Sequence, residues 1–229
     1  DQLIYHDRET HTGGNRLIVS KSQFYNQTTK IGTIQDSDVK WVIEVKNFTT
    51  GGDTFSAAQA ITYYPDKDGY FVTFSNNDNK SQHSSMLEFV TRDGEVVKRR
   101  ILKREVGGHA GSLQYNEKTK SIELMNGSLK YQNGPLKGKT YATRTRTSIK
   151  VDDFFDNDIS DSNLKYSQVK NLKDYKNALA YDKTTGNTIT TNNFNGNTSD
   201  TFILKEPNGT VRTFPKMNAS GQDICANDG

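Results

Sequence analysis

An all-β fold of β-propeller type, with about four blades and the start of a fifth, is the architecture this sequence predicts. Three observations lead there. Short runs of alternating apolar and polar residues are separated by reversals rich in glycine and asparagine. No window carries the periodicity of a long amphipathic helix, and none has the length of a membrane span. One unit also recurs: a short strand with tyrosine at its end, a charged turn, then a second strand. It is seen in residues 58–74 (AQAITYYPDKDGYFVTF), 106–124 (VGGHAGSLQYNEKTKSIEL) and 177–190 (NALAYDKTTGNTIT), and residues 221–229 (GQDICANDG) resemble its first half. With Ile61, Leu113, Leu179 and Ile224 taken as equivalent, the spacings are 52, 66 and 45 residues. A period near 50 is about the length of one four-stranded blade.

Composition agrees. Hydrophobic residues make up 32% of 229, yet 11 Tyr, 11 Phe and one Trp fall in the alternating runs, which favours thin, well-spaced sheets over disorder. The 18 glycines against four prolines suit a turn-rich β protein. A single cysteine, Cys225, excludes an intrachain disulfide framework and a cysteine-based metal cluster, and reads as a small buried residue. The sequence starts at Asp1 with no methionine, which suggests a leader already removed and an exported protein. Asn-x-Ser/Thr triplets, among them those at Asn26, Asn47, Asn126, Asn197, Asn208 and Asn218, read first as turn chemistry.

In chain order, residues 1–54 supply the strands DQLIYH, RLIVS and KWVIEVKNF. In the last, Trp41, Ile43 and Val45 share a core face, Lys40, Val42, Glu44 and Lys46 share a mostly wet one, and Thr50-Gly51-Gly52-Asp53 closes the unit. Residues 55–105 form the clearest blade. There Asp66 and Asp68 before Gly69 make a tight turn, and Asp93-Gly94 between two alternating runs is the strongest hairpin signal in the chain. Lys98, Arg99, Arg100, Lys103 and Arg104 crowd its last strand, as expected of an outer edge on which charge discourages pairing with other molecules. In residues 106–170 the central repeat ends at a hairpin-type Asn126-Gly127. An excursion, LKYQNGPLKGK, the extended YATRTRTSIKV and the acidic DDFFDNDISDSN follow. Residues 171–220 form one more unit, in which Pro207-Asn208-Gly209 marks a turn like Arg92-Asp93-Gly94. The whole of 1–229 is thus one propeller-like domain. Its ring is closed by the N-terminal strands, by a missing segment or by a partner chain.

The candidate chemistry is that of binding. Gly107 and Gly108 lead into His109 at the mouth of a strand, where the imidazole can reach the top of the ring. Lys130, Lys137, Lys139, Arg144, Arg146 and Lys150, interleaved with Tyr131 and Tyr141, offer cations for phosphate or carboxylate and rings for a sugar face. With a net charge of only +3 this is local patterning, which argues against nucleic acid. His6, His11 and His83 lack metal-type spacing. Asp152, Asp153, Asp156, Asp158 and Asp161 raise calcium as the one candidate cofactor. An EF-hand register from Asp156 fails, because Asp161 falls where glycine is needed and Ser167 where glutamate is needed, so a solvated loop is the expected form. Neither a GxSxG elbow nor a Walker A loop is present.

Gly108-His109-Ala110, with Ser112-Leu113, Tyr115-Asn116 and Lys118-Thr119-Lys120, resembles the Gly-His-Ala/Gly-Asn-Asp-Leu-Thr-Tyr-Asn stretch of helveticin J-like proteins and related phage receptor-binding propellers. The preceding MLEFVTRDGEVVKRRIL resembles their hairpin, and the likeness is best over residues 55–125. Gly111-Ser112 stands where that pattern has Asn-Asp. The resemblance implies a secreted or virion-borne propeller of bacteriocin type that recognises a bacterial cell-envelope glycan or teichoic acid without catalysis. Two other classes compete. A structural subunit of a phage tail or appendage would expose edge strands for a partner chain, and an extracellular glycan-active enzyme would converge acids or histidines on the central channel.

Overall fold

The computed structural model describes residues 2–7, 15–21, 39–76, 83–126, 129–131, 134–142, 144–171, 179–182, 185–191 and 202–213. They are mostly strand, and every strand pairing is antiparallel. Sheet I is β1 (Gln2–Asp7), β2 (Asn15–Lys21) and β3 (Val39–Val45). Sheet II is β4 (Phe48–Thr50), β5 (Asp53–Tyr64), β6 (Gly69–Asn76), β7 (His83–Thr91) and β8 (Val96–Lys103). A short helix, α1 (Arg104–Gly107), leads into β9 (Ser112–Asn116) and β10 (Ser121–Asn126). β11 (Leu129–Lys130) and β12 (Thr140–Ala142) form a two-stranded sheet of their own, and β13 (Thr145–Lys150), helix α2 (Val151–Phe155) and β14 (Ser167–Val169) follow. Sheet III is ordered β14-β13-β10-β9. Sheet IV is β15 (Leu179–Tyr181), β16 (Thr188–Thr191), β17 (Phe202–Lys205) and β18 (Val211–Thr213).

Sheets I to IV are therefore up-and-down meanders, that of sheet III interrupted by the β11–β12 pair, and β1 packs beside β5, β5 beside β9, and β9 beside β15. The internal repeat survives in the register. Tyr63 pairs with Tyr70, Tyr115 with Ile122 and Tyr181 with Thr188, the same offset in all three sheets. The turns that follow also share a shape, with Asp68 (φ 44°), Lys120 (φ 50°) and Gly186 (φ 74°) left-handed at the equivalent place. Ile61, Leu113 and Leu179 are thus true equivalents, whereas Ile224 and Cys225 lie outside the described residues. The two turns expected to be alike are alike. Thr91 N donates to Glu95 O and Gly94 N to Thr91 O, just as Glu206 N donates to Thr210 O and Gly209 N to Glu206 O.

Sheet II is buried on both faces, so all of β6 is shielded from water. Ile43 and Val45 of β3 pack with Phe55, Tyr70, Val72, Phe74, Met86 and Val90 on one side, while Glu44 and Lys46 are exposed as the alternation requires. On the other side Phe71, Leu87, Phe89 and Leu102 meet Leu113, Ile122, Leu124, Ile149 and Phe154 of sheet III. Tyr64, Phe71, Phe89, Phe154 and Phe155 form a contiguous ring cluster with centroid separations from 4.9 to 6.3 Å. Burial, and then the hydrogen bond to Asp66, pushes the Tyr64 hydroxyl up to about 12, so it stays protonated.

Three expectations need correction. Thr50-Gly51-Gly52-Asp53 does not close the first unit but joins β4 to β5 inside sheet II, because both glycines take the positive φ that a two-residue hairpin needs. Asn126-Gly127 does not fold β10 back onto the next strand: β10 pairs with β13, and the β11–β12 hairpin is inserted between them. Finally, β8 is an outer edge, but its charge is not simply solvated. Arg104 is buried, and Arg100 is only 2% exposed. Arg100 donates to the carbonyls of Phe154 (2.9 Å), Asp153 (3.0 Å), Asp156 and Ile159, and it approaches Asp161 Oδ1 at 3.4 Å. Asp161 Oδ2 accepts from the Ile101 amide at 3.0 Å, and Lys98 reaches Asn157 Oδ1 at 2.8 Å. The acidic segment is therefore a cradle for a guanidinium rather than a free solvated loop, and it covers part of the β8 edge.

Candidate functional site

Successive meander turns fall at alternate ends of the sheets. Tyr115 N donates to Thr62 Oγ1, and Thr73 Oγ1, opposite Ala60, donates to Ala110 O at 2.8 Å, so sheets II and III run the same way. One end carries the turns 64–69, 91–95 and 116–121 and the arginine cradle. The other carries the end of β6, the start of β7, the α1 connection and the inserted β11–β12 hairpin. The predicted binding residues collect at this second end.

His109 is exposed there, between two residues with positive φ. Gly108 takes φ 55° and ψ −132°, a region closed to other residues, and a Cβ on it would lie 2.4 Å from the Asn126 side chain. Ala110 is fully buried at φ 51°, and its amide donates to Asn126 Oδ1 at 2.9 Å. Bonds on both sides thus pin the turn and leave the imidazole at the surface. A left-handed alanine costs about 1–2 kcal/mol, which the buried hydrogen bonds offset.

The hairpin is closed by its backbone, with Tyr131 N donating to Lys139 O at 3.0 Å and Gly138 N to Tyr131 O at 2.9 Å. Lys130, Lys137 and Lys139 are exposed along it. Tyr131 is half-buried, with the Arg104 guanidinium 5.7 Å from its ring centroid, and α1 packs on β12. Tyr141 lies on β12, its side chain outside the described part. Arg144, left-handed at φ 46°, sits at the base of the insert. Arg146 parts from the group: β13 directs it, with Ser148, onto the face of sheet III turned away from the aromatic core.

The same end of sheet II holds a constellation that sequence reading missed. His83 Nδ1 lies 3.0 Å from Asp53 Oδ2, and Asn76 Nδ2 donates to Asp53 Oδ1 at 2.8 Å and to His83 O at 3.0 Å. Asp53 is 6% exposed and the His83 side chain 43%, so a buried carboxylate fixes one edge of a half-exposed ring. Lys103 is the cross-strand partner of His83 and adds a cation. These residues are 7 to 50 apart in sequence, and only the strand ends bring them together. Among the described residues no group of three His, Cys, Asp or Glu side chains is placed to hold a metal ion, and no helix is long and apolar enough to cross a membrane.

No family model matches this chain, and no curated protein matches it either.

Proposed function

We propose that the chain is a non-catalytic binding protein on a β-propeller-type scaffold, and that the end bearing His109 takes an anionic cell-envelope polymer such as a teichoic acid. Serial meanders in which β1, β5, β9 and β15 lie side by side support the scaffold. One observation carries the binding reading: His109, Lys130, Lys137 and Lys139 are exposed on a turn and a hairpin that emerge from the same end of sheet III and are closed by their own backbone bonds. Lys103 extends the cationic surface onto sheet II, beside the half-exposed ring of His83. Cations on a preformed backbone meet repeated phosphates with little ordering cost, and Tyr131 offers a ring beside them. Such a ligand places the protein outside the producing cell or on a virion.

The test is co-sedimentation with teichoic-acid-bearing cell walls and with walls stripped of the polymer. Binding to the first that weakens as salt rises is expected, with a loss of about tenfold or more in a K130E/K137E/K139E variant. Equal binding to both wall preparations would overturn the proposal.

A further inference from the structure

The two faces of sheet III differ. Ile122, Leu124, Leu113 and Ile149 enter the aromatic core shared with sheet II. The opposite face carries Ser112, Gln114 and Asn116 on β9, Ser121, Glu123 and Met125 on β10, and Arg146 and Ser148 on β13. Polar as it is, this face is covered: Ser112, Asn116, Ser121, Glu123 and Met125 are all buried. β15 packs along β9 beside it, and Ala180 and Thr190 of sheet IV are buried. The face of sheet III turned away from sheet II is therefore buried yet lined with hydrogen-bonding groups, where the face toward sheet II is apolar.

Two of these groups have buried atoms without a protein partner. Glu123 is 4% exposed; Asn116 Nδ2 donates to its Oε1 at 3.0 Å, while Oε2 has no partner. Arg146 Nε is likewise buried and unpaired. Leaving a carboxylate oxygen and a guanidinium N–H unpaired away from water costs more than an ordinary hydrogen bond contributes. Something that accepts and donates at once would satisfy both.

The geometry points to a binding site on this face of sheet III for vicinal hydroxyls, those of a sugar ring or an open-chain polyol, with Glu123 Oε2 accepting from one hydroxyl and Arg146 Nε, on the neighbouring strand, donating to the next. A metal cation meets the Arg146 charge and a single carboxylate, and an anion meets Glu123. A neutral hydroxyl pair matches the donor and the acceptor together. The site lies on the face of sheet III rather than on the exposed turn and hairpin of the cationic end, and it does not depend on the polymer reading.

The experiment is an NMR titration of the full chain that follows the Arg146 Nε–H resonance as glucose, N-acetylglucosamine or ribitol is added. The expected result is a saturable shift with at least one probe, sugars and ribitol separating ring from open-chain ligands. Affinity should fall about tenfold or more in E123Q, which keeps the side-chain shape, and in R146K, which keeps the charge. No saturation with any of the three at tens of millimolar, which leaves these atoms to water alone, overturns the proposal. Unchanged affinity in folded E123Q does so too. Wall co-sedimentation on the same sample reads a different surface, so the two readings fail separately.

Discussion

Arg100 is the side chain whose replacement tests the packing most directly. Its guanidinium is almost wholly buried and meets four main-chain carbonyls of residues 153–159 and the Asp161 carboxylate. In Arg100→Met most of the aliphatic stem survives, so the change isolates the donors. A charge-assisted hydrogen bond contributes about 1.5–3 kcal/mol, but the partly exposed loop would recover water at some of its carbonyls. Removing one partner of a buried ionic cluster typically costs about 3–5 kcal/mol, and that is the expected loss here. In a chain of this size it corresponds to a fall in Tm of roughly 10 °C. Urea denaturation would measure the loss. Hydrogen exchange would localise it to residues 151–163 and to the Ile101 amide, which loses Asp161 when the loop lifts. Arg100→Lys, with a compact ammonium in place of the planar fork, should fall between the two. A Met variant within about 1 kcal/mol of wild type would refute the reasoning, because that is the contribution of an ordinary surface ion pair.

Other consequences are open to the same methods. Gly108→Ala forces a side chain into a φ and ψ reserved for glycine and against Asn126; a loss of roughly 2–3 kcal/mol by denaturant titration is expected, and no loss would show that the turn is not fixed as described. Glu88 is fully buried, with Arg99 Nε donating to Oε2 at 2.6 Å and Oε1 unpaired. Burial outweighs Arg99 and raises its carboxyl above the ordinary 4.5, so the folded state holds the proton more tightly than the unfolded one. The stability it contributes is full below 4.5 and is lost as pH rises through the raised folded value, and Glu88→Gln should flatten that part of the stability–pH curve. A curve for the variant that parallels wild type between pH 4 and neutrality would contradict the assignment. Calcium and a chelator should both leave the wild-type Tm in place, since the oxygens of residues 153–161 already hold a guanidinium; a rise with calcium would mean a second cation site.

Much of the fold could be read because it depends on local chemistry. Alternation around Ile43 and Val45 set the buried face of β3 before any contact was known, and Asp93-Gly94 and Asn208-Gly209 gave turns with matching hydrogen bonds. The repeat was legible through tyrosine and the turn after it, because a left-handed residue at one fixed place leaves a compositional trace even when the strands have diverged. Arg100 was not legible. On an edge strand a solvated arginine and one plugged into a loop more than 50 residues away have the same neighbours in sequence. The acidic segment misled for the complementary reason, since its carbonyls rather than its carboxylates supply most of the contacts, and carbonyls leave no mark on a sequence.

The binding end shows the same division. His109 and the lysines of the insert could be found because glycine before a strand and cations around an Asn-Gly-Pro turn are local signals. The pairing of His83 with Asp53 could not, because it needs the start of β5 and the start of β7 to meet across β6. Arg146 reads in sequence as one more member of the basic stretch, yet strand alternation turns it to the face opposite Thr145 and Thr147, the face it shares with Glu123. A slip of β13 by one residue against β10 would turn β13 over, bringing Arg146 and Ser148 to the aromatic-core face and taking Ile149 out of it. Burying the Arg146 charge among aromatic rings would cost far more than the apolar contacts there contribute. The apolar core on one face of sheet III therefore dictates which polar groups are presented on the other, through the same register that holds sheets II and III together.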